Sequence, residues 1–142
     1  MTVLQVKTIG VLSKDFNIKD KNDCAIRALA NVSVLPYPEA HKQISEGGRR
    51  KGRGTPWGTL HTVYTMNGGK PIYYGANMRK LSQKFNVPLQ EKSMTLATFL
   101  KENKRGSFVV LVRGHALAVC DGSIIDTVAN RAGKRLKAVY KF

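Results

Sequence analysis

Three side chains in this sequence could together cut an acyl bond. Cys24 stands at the head of a stretch with helical apolar spacing, and His115 and Asp126 lie close together in GHALAVCDGSIIDT near the C-terminus. A thiol attacks carbonyl carbon as thiolate, an imidazole beside it holds the proton and later delivers it to the leaving group, and a carboxylate orients the imidazole. Cys24, His115 and Asp126 fall in the order nucleophile, base and orienter along the chain.

The elements that would carry these groups can be read from local pattern. Asp121-Gly122 suits a two-residue turn with positive φ at both central positions, so Cys120 should pair with Ser123. The register then sets Leu117 opposite Asp126 and His115 opposite Val128, and alternation puts His115, Leu117 and Asp126 on one face. Asp126 becomes a diagonal neighbour of His115, roughly 7–8 Å away at the backbone and within reach of two polar side chains leaning together. Cys120 falls on the opposite face, which leaves Cys24 as the candidate nucleophile.

Cys24, Ala25, Ala28, Leu29 and Val32 recur at three- and four-residue spacing, which predicts a helix capped by Asn22 or Asp23 and ending near Ser33. The N-terminus of such a helix lowers a thiol's pKa, because unpaired N–H groups and aligned peptide dipoles favour negative charge there. Before it, Val3–Ile9 reads as a short extended segment and Asp15–Asn22 as a polar approach loop. After it, Pro38 starts a short helix through Ile44. Gly47–Gly58 has no apolar period and is a loop. Trp57–Met66 reads as a helix stopped by Asn67-Gly68-Gly69, and Ile72–Tyr74 as a brief strand. Asn77 is expected to cap a helix with Met78, Leu81 and Phe85 on one face, and Thr95 another with Leu96, Phe99 and Leu100 inward. Phe108–Val112, His115–Cys120, Ser123–Thr127 and Arg135–Tyr140 are strands. Helices first and an antiparallel meander after is the α+β pattern, in one domain over residues 1–142.

A Cys at a helix start, a central helical section, and His and Asp on adjacent antiparallel strands resemble the papain-like cysteine peptidase superfamily over most of the chain. NDCAIRALA is similar to the Asp-Cys helix start of bacteriocin-leader peptidases attached to ABC exporters. GHALAVCDGSIIDT is similar to their His strand, turn and Asp strand, and the chain also resembles small cysteine peptidases of tailed bacteriophages. The resemblance implies a nucleophile helix packed on a C-terminal antiparallel sheet, with Cys24 as nucleophile, His115 as base and Asp126 as orienter. The superfamily's oxyanion Gln, about six residues before the nucleophile, is replaced here by Ile18, so Asn17 and Asn22 are the candidate side-chain donors beside the Cys24 N–H. Ile26 and Arg27 replace the small residues of the leader-peptidase helix, so leader specificity does not carry over.

The chain has 24 Lys and Arg against 9 Asp and Glu, a formal net charge of +15, and its positive field draws anions. Most of the excess is dispersed and reads equally as a solvated surface. The one dense run, Arg49-Arg50-Lys51 with Arg53, could grip a phosphate backbone or an acidic protein, or be a surface loop. Trp57, Tyr64, Tyr73 and Tyr74 could offer stacking surfaces, and core packing explains them equally. His41 and His61 lack zinc spacing and GRRKGRGT lacks a Walker ending, so neither a metal nor a cofactor is expected. No stretch approaches the roughly 20 apolar residues of a membrane span, MTVLQVKTIG lacks a secretory layout, and two cysteines without a framework suit a reducing compartment. A cytoplasmic protein, in the host cytoplasm if phage-encoded, with no membrane partner is expected. The leading function is a thiol hydrolase acting on a peptide or protein substrate. Its competitors are a basic module binding nucleic acid or an acidic host protein, and acyl transfer or deamidation on the same triad.

Overall fold

A computed structural model describes residues 3–4, 9–90, 92–128 and 130–142. The chain runs β1 (Val3–Leu4), a 3-10 turn (Ser13–Phe16), α1 (Cys24–Val32), α2 (Tyr37–Glu46), α3 (Trp57–Met66) and β2 (Lys70–Tyr74). It continues through a second 3-10 turn (Ala76–Met78), α4 (Arg79–Phe85) and α5 (Leu96–Glu102). The strands β3 (Ser107–Val112), β4 (His115–Cys120), β5 (Ser123–Ile125), β6 (Asn130–Arg131) and β7 (Leu136–Lys141) follow. The fold is α+β. The extended segment expected over Val3–Ile9 is met at Val3–Leu4, paired with β6. Residues 5–8 lie outside the described residues.

Five strands form one antiparallel sheet in the order β2-β7-β3-β4-β5. This differs from a simple C-terminal meander. The last strand returns past β3 and inserts between it and β2, a strand delivered from the helical half of the chain. β2 is an edge strand, and that is where Pro71 is tolerated, since it has no N–H to give to a ladder.

Alternation along the central strands sends side chains into two apolar layers. On one face Val109, Leu111, Ala116, Ala118 and Tyr140 meet Ile26 and Leu29 of α1, with Tyr37, Ile44 and Tyr64 from α2 and α3. On the other, Val110, Leu117, Val119 and Val139 are covered by Leu96 and Phe99 of α5. Each fully buried Leu, Ile or Val contributes about 1.5–3 kcal/mol of transfer free energy, enough to hold α1 flat against β4. Helix α1 runs alongside β4: its first turn lies by His115 and Ala116, while Asn31 near its end accepts a weak contact from the Cys120 thiol at 3.9 Å.

Three local expectations are corrected. The helix after β2 starts at Arg79 with Met78 in the cap position, because Asn77 is taken into the preceding 3-10 turn. The β5 strand ends at Ile125, since Asp126 turns its carboxylate back onto the Thr127 N–H (2.7 Å). Asp23 occupies the cap position of α1 but makes no capping hydrogen bond. Its two carboxylate oxygens instead accept from Arg27 Nε (3.0 Å) and Tyr37 Oη (2.7 Å). Thr95 does cap α5, accepting from the Thr98 N–H.

Candidate active site

The site is assembled where the sheet ends. The predicted hairpin is present: Cys120 pairs with Ser123, and Asp121 (φ 48°) and Gly122 (φ 78°) take the left-handed conformations the turn requires. His115 is the first residue of β4, on the last rung it shares with β3, and Asp126 is the first beyond β5, so both lie past the last rung between β4 and β5. His115 Nε2 and Asp126 Oδ2 are 2.6 Å apart. That bond leaves Nδ1 as the free ring nitrogen, on a ring that shares one cleft with the Cys24 thiol. Parity alone would assign His115 to the layer of Leu117, away from α1. Its place on the terminal rung lets the first turn of α1 reach it.

Burial of the Cys24 thiol opposes its ionisation, but hydrogen bonds from His115 and the Ala116 N–H, and the charges of His115 and Arg27, bring its pKa down overall. His115 moves the opposite way. Desolvation works against the imidazolium, yet the hydrogen bonds to Asp126 and Cys24 and their negative charges raise it from 6.5 to about 9. For Asp126, burial favours the neutral acid, and His115, Asn130 and the Thr127 N–H outweigh it to lower the pKa. All three shifts favour the charged form of their group, and the groups influence one another. The Asp126 side chain is 2% exposed and that of His115 17%, so water screens the pair weakly.

Cys24 and His115 line one cleft of about 200 Å³, walled by Gly54, Thr55, Trp57 and Leu60 on one side and by Val112, Gly114 and Lys137 on the other. The N–H groups of Cys24 and Ala25 belong to the first helical turn, which has no intrahelical acceptor. Those of Ile26 and Arg27 already bond to the Asp23 carbonyl. An oxygen bearing developing charge beside the sulfur would therefore meet backbone donors and the positive end of α1.

Neither oxyanion candidate lines this cleft. Asn17 ends the first 3-10 turn and faces a separate hollow with Lys19 and Lys51. Asn22 donates its side-chain amide to the Gly52 carbonyl at 2.8 Å, tying the approach loop to the glycine-rich loop. The basic run also divides. Arg49 has a fully enclosed side chain whose Nη1 and Nη2 donate to Asp20 at 2.7 and 3.0 Å, and it also donates to the Arg53 and Lys21 carbonyls. A guanidinium so engaged cannot grip an outside anion, and Arg49 leaves the anion-binding set. Arg50, Lys51 and Arg53 remain exposed. Asp20 also accepts from the Gly52 N–H (2.8 Å) and contacts His41 Nε2 (2.7 Å), so the glycine-rich loop is buttressed against the segment leading into Cys24.

Of the aromatic candidates, Trp57 lines the cleft, whereas Tyr64, Tyr73 and Tyr74 are buried in the core. Tyr74 and His61 share a hydrogen-bond cluster with Tyr140. Among the described residues no group of three or more His, Cys, Asp and Glu could hold a metal ion.

Two contributors were not singled out from sequence. Arg27 lies one turn beyond Cys24, pairs with Asp23 (3.0 Å) and sits 3.8 Å from Asp126 Oδ1. The i,i+4 spacing of Asp23 and Arg27 was the available signal. Asn130 donates to Asp126 Oδ2 (3.0 Å) and to the Val128 carbonyl (3.1 Å), fixing the carboxylate from behind. No pattern announced it, because it acts from an irregular segment.

No family model, no curated protein and no solved structure matches the chain.

Proposed function

We propose that this chain is a papain-like cysteine peptidase or related thiol hydrolase that cleaves a peptide or isopeptide bond through an acyl-enzyme on Cys24. The observation that carries the reading is the relay itself. A thiol at the first position of α1 shares a cleft with an imidazole whose Nε2 lies 2.6 Å from a buried carboxylate.

In this mechanism the Cys24 thiolate attacks the carbonyl carbon. The C–S bond forms as the carbonyl electron pair moves to oxygen, which the Cys24 and Ala25 N–H groups stabilise. Collapse of the tetrahedral intermediate breaks the C–N bond, and the proton on His115 Nδ1 passes to the departing amine. Water then attacks the thioester while Nδ1 takes its proton, and expulsion of the Cys24 sulfur regenerates thiolate and imidazolium. Asp126 holds the ring so that Nδ1 faces the sulfur throughout, and the imidazolium keeps its partner.

Labelling with a peptidyl vinyl sulfone followed by intact-mass measurement tests this reading. One adduct is expected, located at Cys24 and abolished in His115→Ala. Modification of Cys120 at a comparable rate, or labelling of Cys24 that ignores the loss of His115, would contradict it.

A further inference from the structure

The cleft that holds Cys24 and His115 shares part of its lining with one hollow and is linked to a second through short stretches of chain. One, of about 490 Å³, shares Val112 and Lys137 with the cleft and is also lined by Arg113, Lys134 and Arg135. The other, of about 760 Å³, is lined by Lys14, Lys19, Lys21 and Lys51. It joins the cleft through two short chain segments, Lys21 to Cys24 and Lys51-Gly52 to Gly54-Thr55.

The charge on these surfaces is one-sided. Eight cations line the two hollows, and Asp20 is the one carboxylate among the residues lining either hollow or the cleft. Asp20 is already neutralised, with a fully enclosed side chain bonded to Arg49. Among the described residues no carboxylate forms a salt bridge with any of the eight. A strongly basic chain scatters cations everywhere, so the contrast with a further hollow matters. The one formed by Ile72, Gln90, Lys92, Phe99 and Glu102 carries one cation and one anion. Unlike that one, the two hollows near the nucleophile carry four cations each with no free carboxylate among their lining residues.

A concave surface of one sign concentrates field lines and raises the local concentration of oppositely charged ligand. A thiolate needs a carbonyl carbon, which a polypeptide presents at every residue and a nucleic-acid backbone does not. From the two lysine- and arginine-lined hollows near the Cys24–His115 cleft, we infer that the substrate is an acidic polypeptide segment, with Asp or Glu side chains on both sides of the scissile bond. This rests on the thiol-hydrolase reading and adds the substrate class to it. The Arg113, Lys134, Arg135 and Lys137 hollow receives carboxylates on one side of the bond, and the Lys14, Lys19, Lys21 and Lys51 hollow those on the other.

Protection of Cys24 from iodoacetamide at neutral pH and low salt tests the inference, with the full chain as it stands. The probe is a blocked decapeptide of glutamates around a central Gly-Gly, compared with its glutamine counterpart and an oligothymidylate of equal charge. The acidic peptide is expected to slow alkylation about tenfold or more, the glutamine peptide to leave the rate nearly unchanged, and added salt to abolish the difference. Charge reversal at Arg113→Glu with Lys134→Glu, or at Lys19→Glu with Lys51→Glu, should each weaken the protection. Equal protection by both peptides, protection that survives both reversals, or stronger protection by the oligothymidylate would overturn the inference. The hydrolase reading fails separately, if His115→Ala leaves the peptide-free alkylation rate unchanged.

Discussion

Replacing Asp126 with Asn removes one negative charge from the site while keeping the side chain's shape and an oxygen that can accept from His115 Nε2. In the intact protein that oxygen lies 2.6 Å from Nε2 in a nearly water-free setting. His115 stands at about 9 against an ordinary 6.5, and at about 1.36 kcal/mol per unit the gap corresponds to on the order of 3 kcal/mol favouring the imidazolium. Burial, which pushes the other way, is untouched by the substitution, and Cys24 stays in the same cleft as the ring. The imidazole should therefore fall by about two units, to near or below its ordinary value. Below neutrality the thiolate depends on the imidazolium as counter-charge, so Cys24 alkylation near pH 6 should slow by up to about a hundredfold. The sign for stability follows from the raised value. In the wild type the imidazolium contributes fully below pH 6.5, and that contribution is lost as pH rises through about 9. In Asp126→Asn the loss should begin at lower pH. Proton NMR titration of the His115 ring, with parallel alkylation rates, reads both effects. A His115 pKa in the variant within half a unit of wild type, or a wild-type value below 7, would refute the reasoning.

Arg49→Ala strands the enclosed Asp20 carboxylate and should cost about 3–5 kcal/mol, lowering the thermal midpoint by on the order of 10 °C in calorimetry. Asp20 is held well below the usual carboxylate range despite its burial, chiefly by its bonds to Arg49, Gly52 and His41. Its stabilising contribution is thus present above the ordinary range and lost only in stronger acid. Acid unfolding of Arg49→Ala should therefore set in at higher pH than in the wild type. Tyr140→Phe removes the hydroxyl that bridges His61 Nδ1 (2.6 Å) and Tyr74 Oη (2.7 Å), and urea unfolding should show a loss of about 1–3 kcal/mol with Cys24 reactivity retained. Gly122→Val forces a β-branched residue to a φ of 78°, costing about 1–2 kcal/mol or more in denaturant titration. It should also slow Cys24 alkylation, because the same turn sets where Asp126 falls.

What the sequence disclosed was whatever short-range chemistry dictates. Asp121-Gly122 fixed the hairpin because so few residues tolerate two successive positive φ values, and the register it set brings His115 and Asp126 together. The spacing of Cys24, Ala25, Ala28, Leu29 and Val32 located α1 because an amphipathic face has only one layer to bury against. Other features depend on chain segments far apart in sequence. Arg49 lies in a low-complexity basic run, and only the fold brings Asp20 to it. Asn22 had the chemistry of an oxyanion donor, but the Gly52 carbonyl claims its amide. Asn130 acts from an irregular segment, where no periodicity exists to read. The insertion of β7 between β2 and β3 is likewise a choice among pairings that strand composition does not distinguish.

The pH dependence of iodoacetamide alkylation at Cys24, with Cys120 of the same molecule as internal reference, tests the thiolate–imidazolium relay most directly. The relay predicts that Cys24 reacts rapidly and almost independently of pH from about 6 to 8, that His115→Ala removes this reactivity, and that Cys120 lags behind it throughout. A Cys24 rate that climbs about tenfold per pH unit toward an ordinary thiol pKa near 8.5, unaffected by the loss of His115, would contradict it.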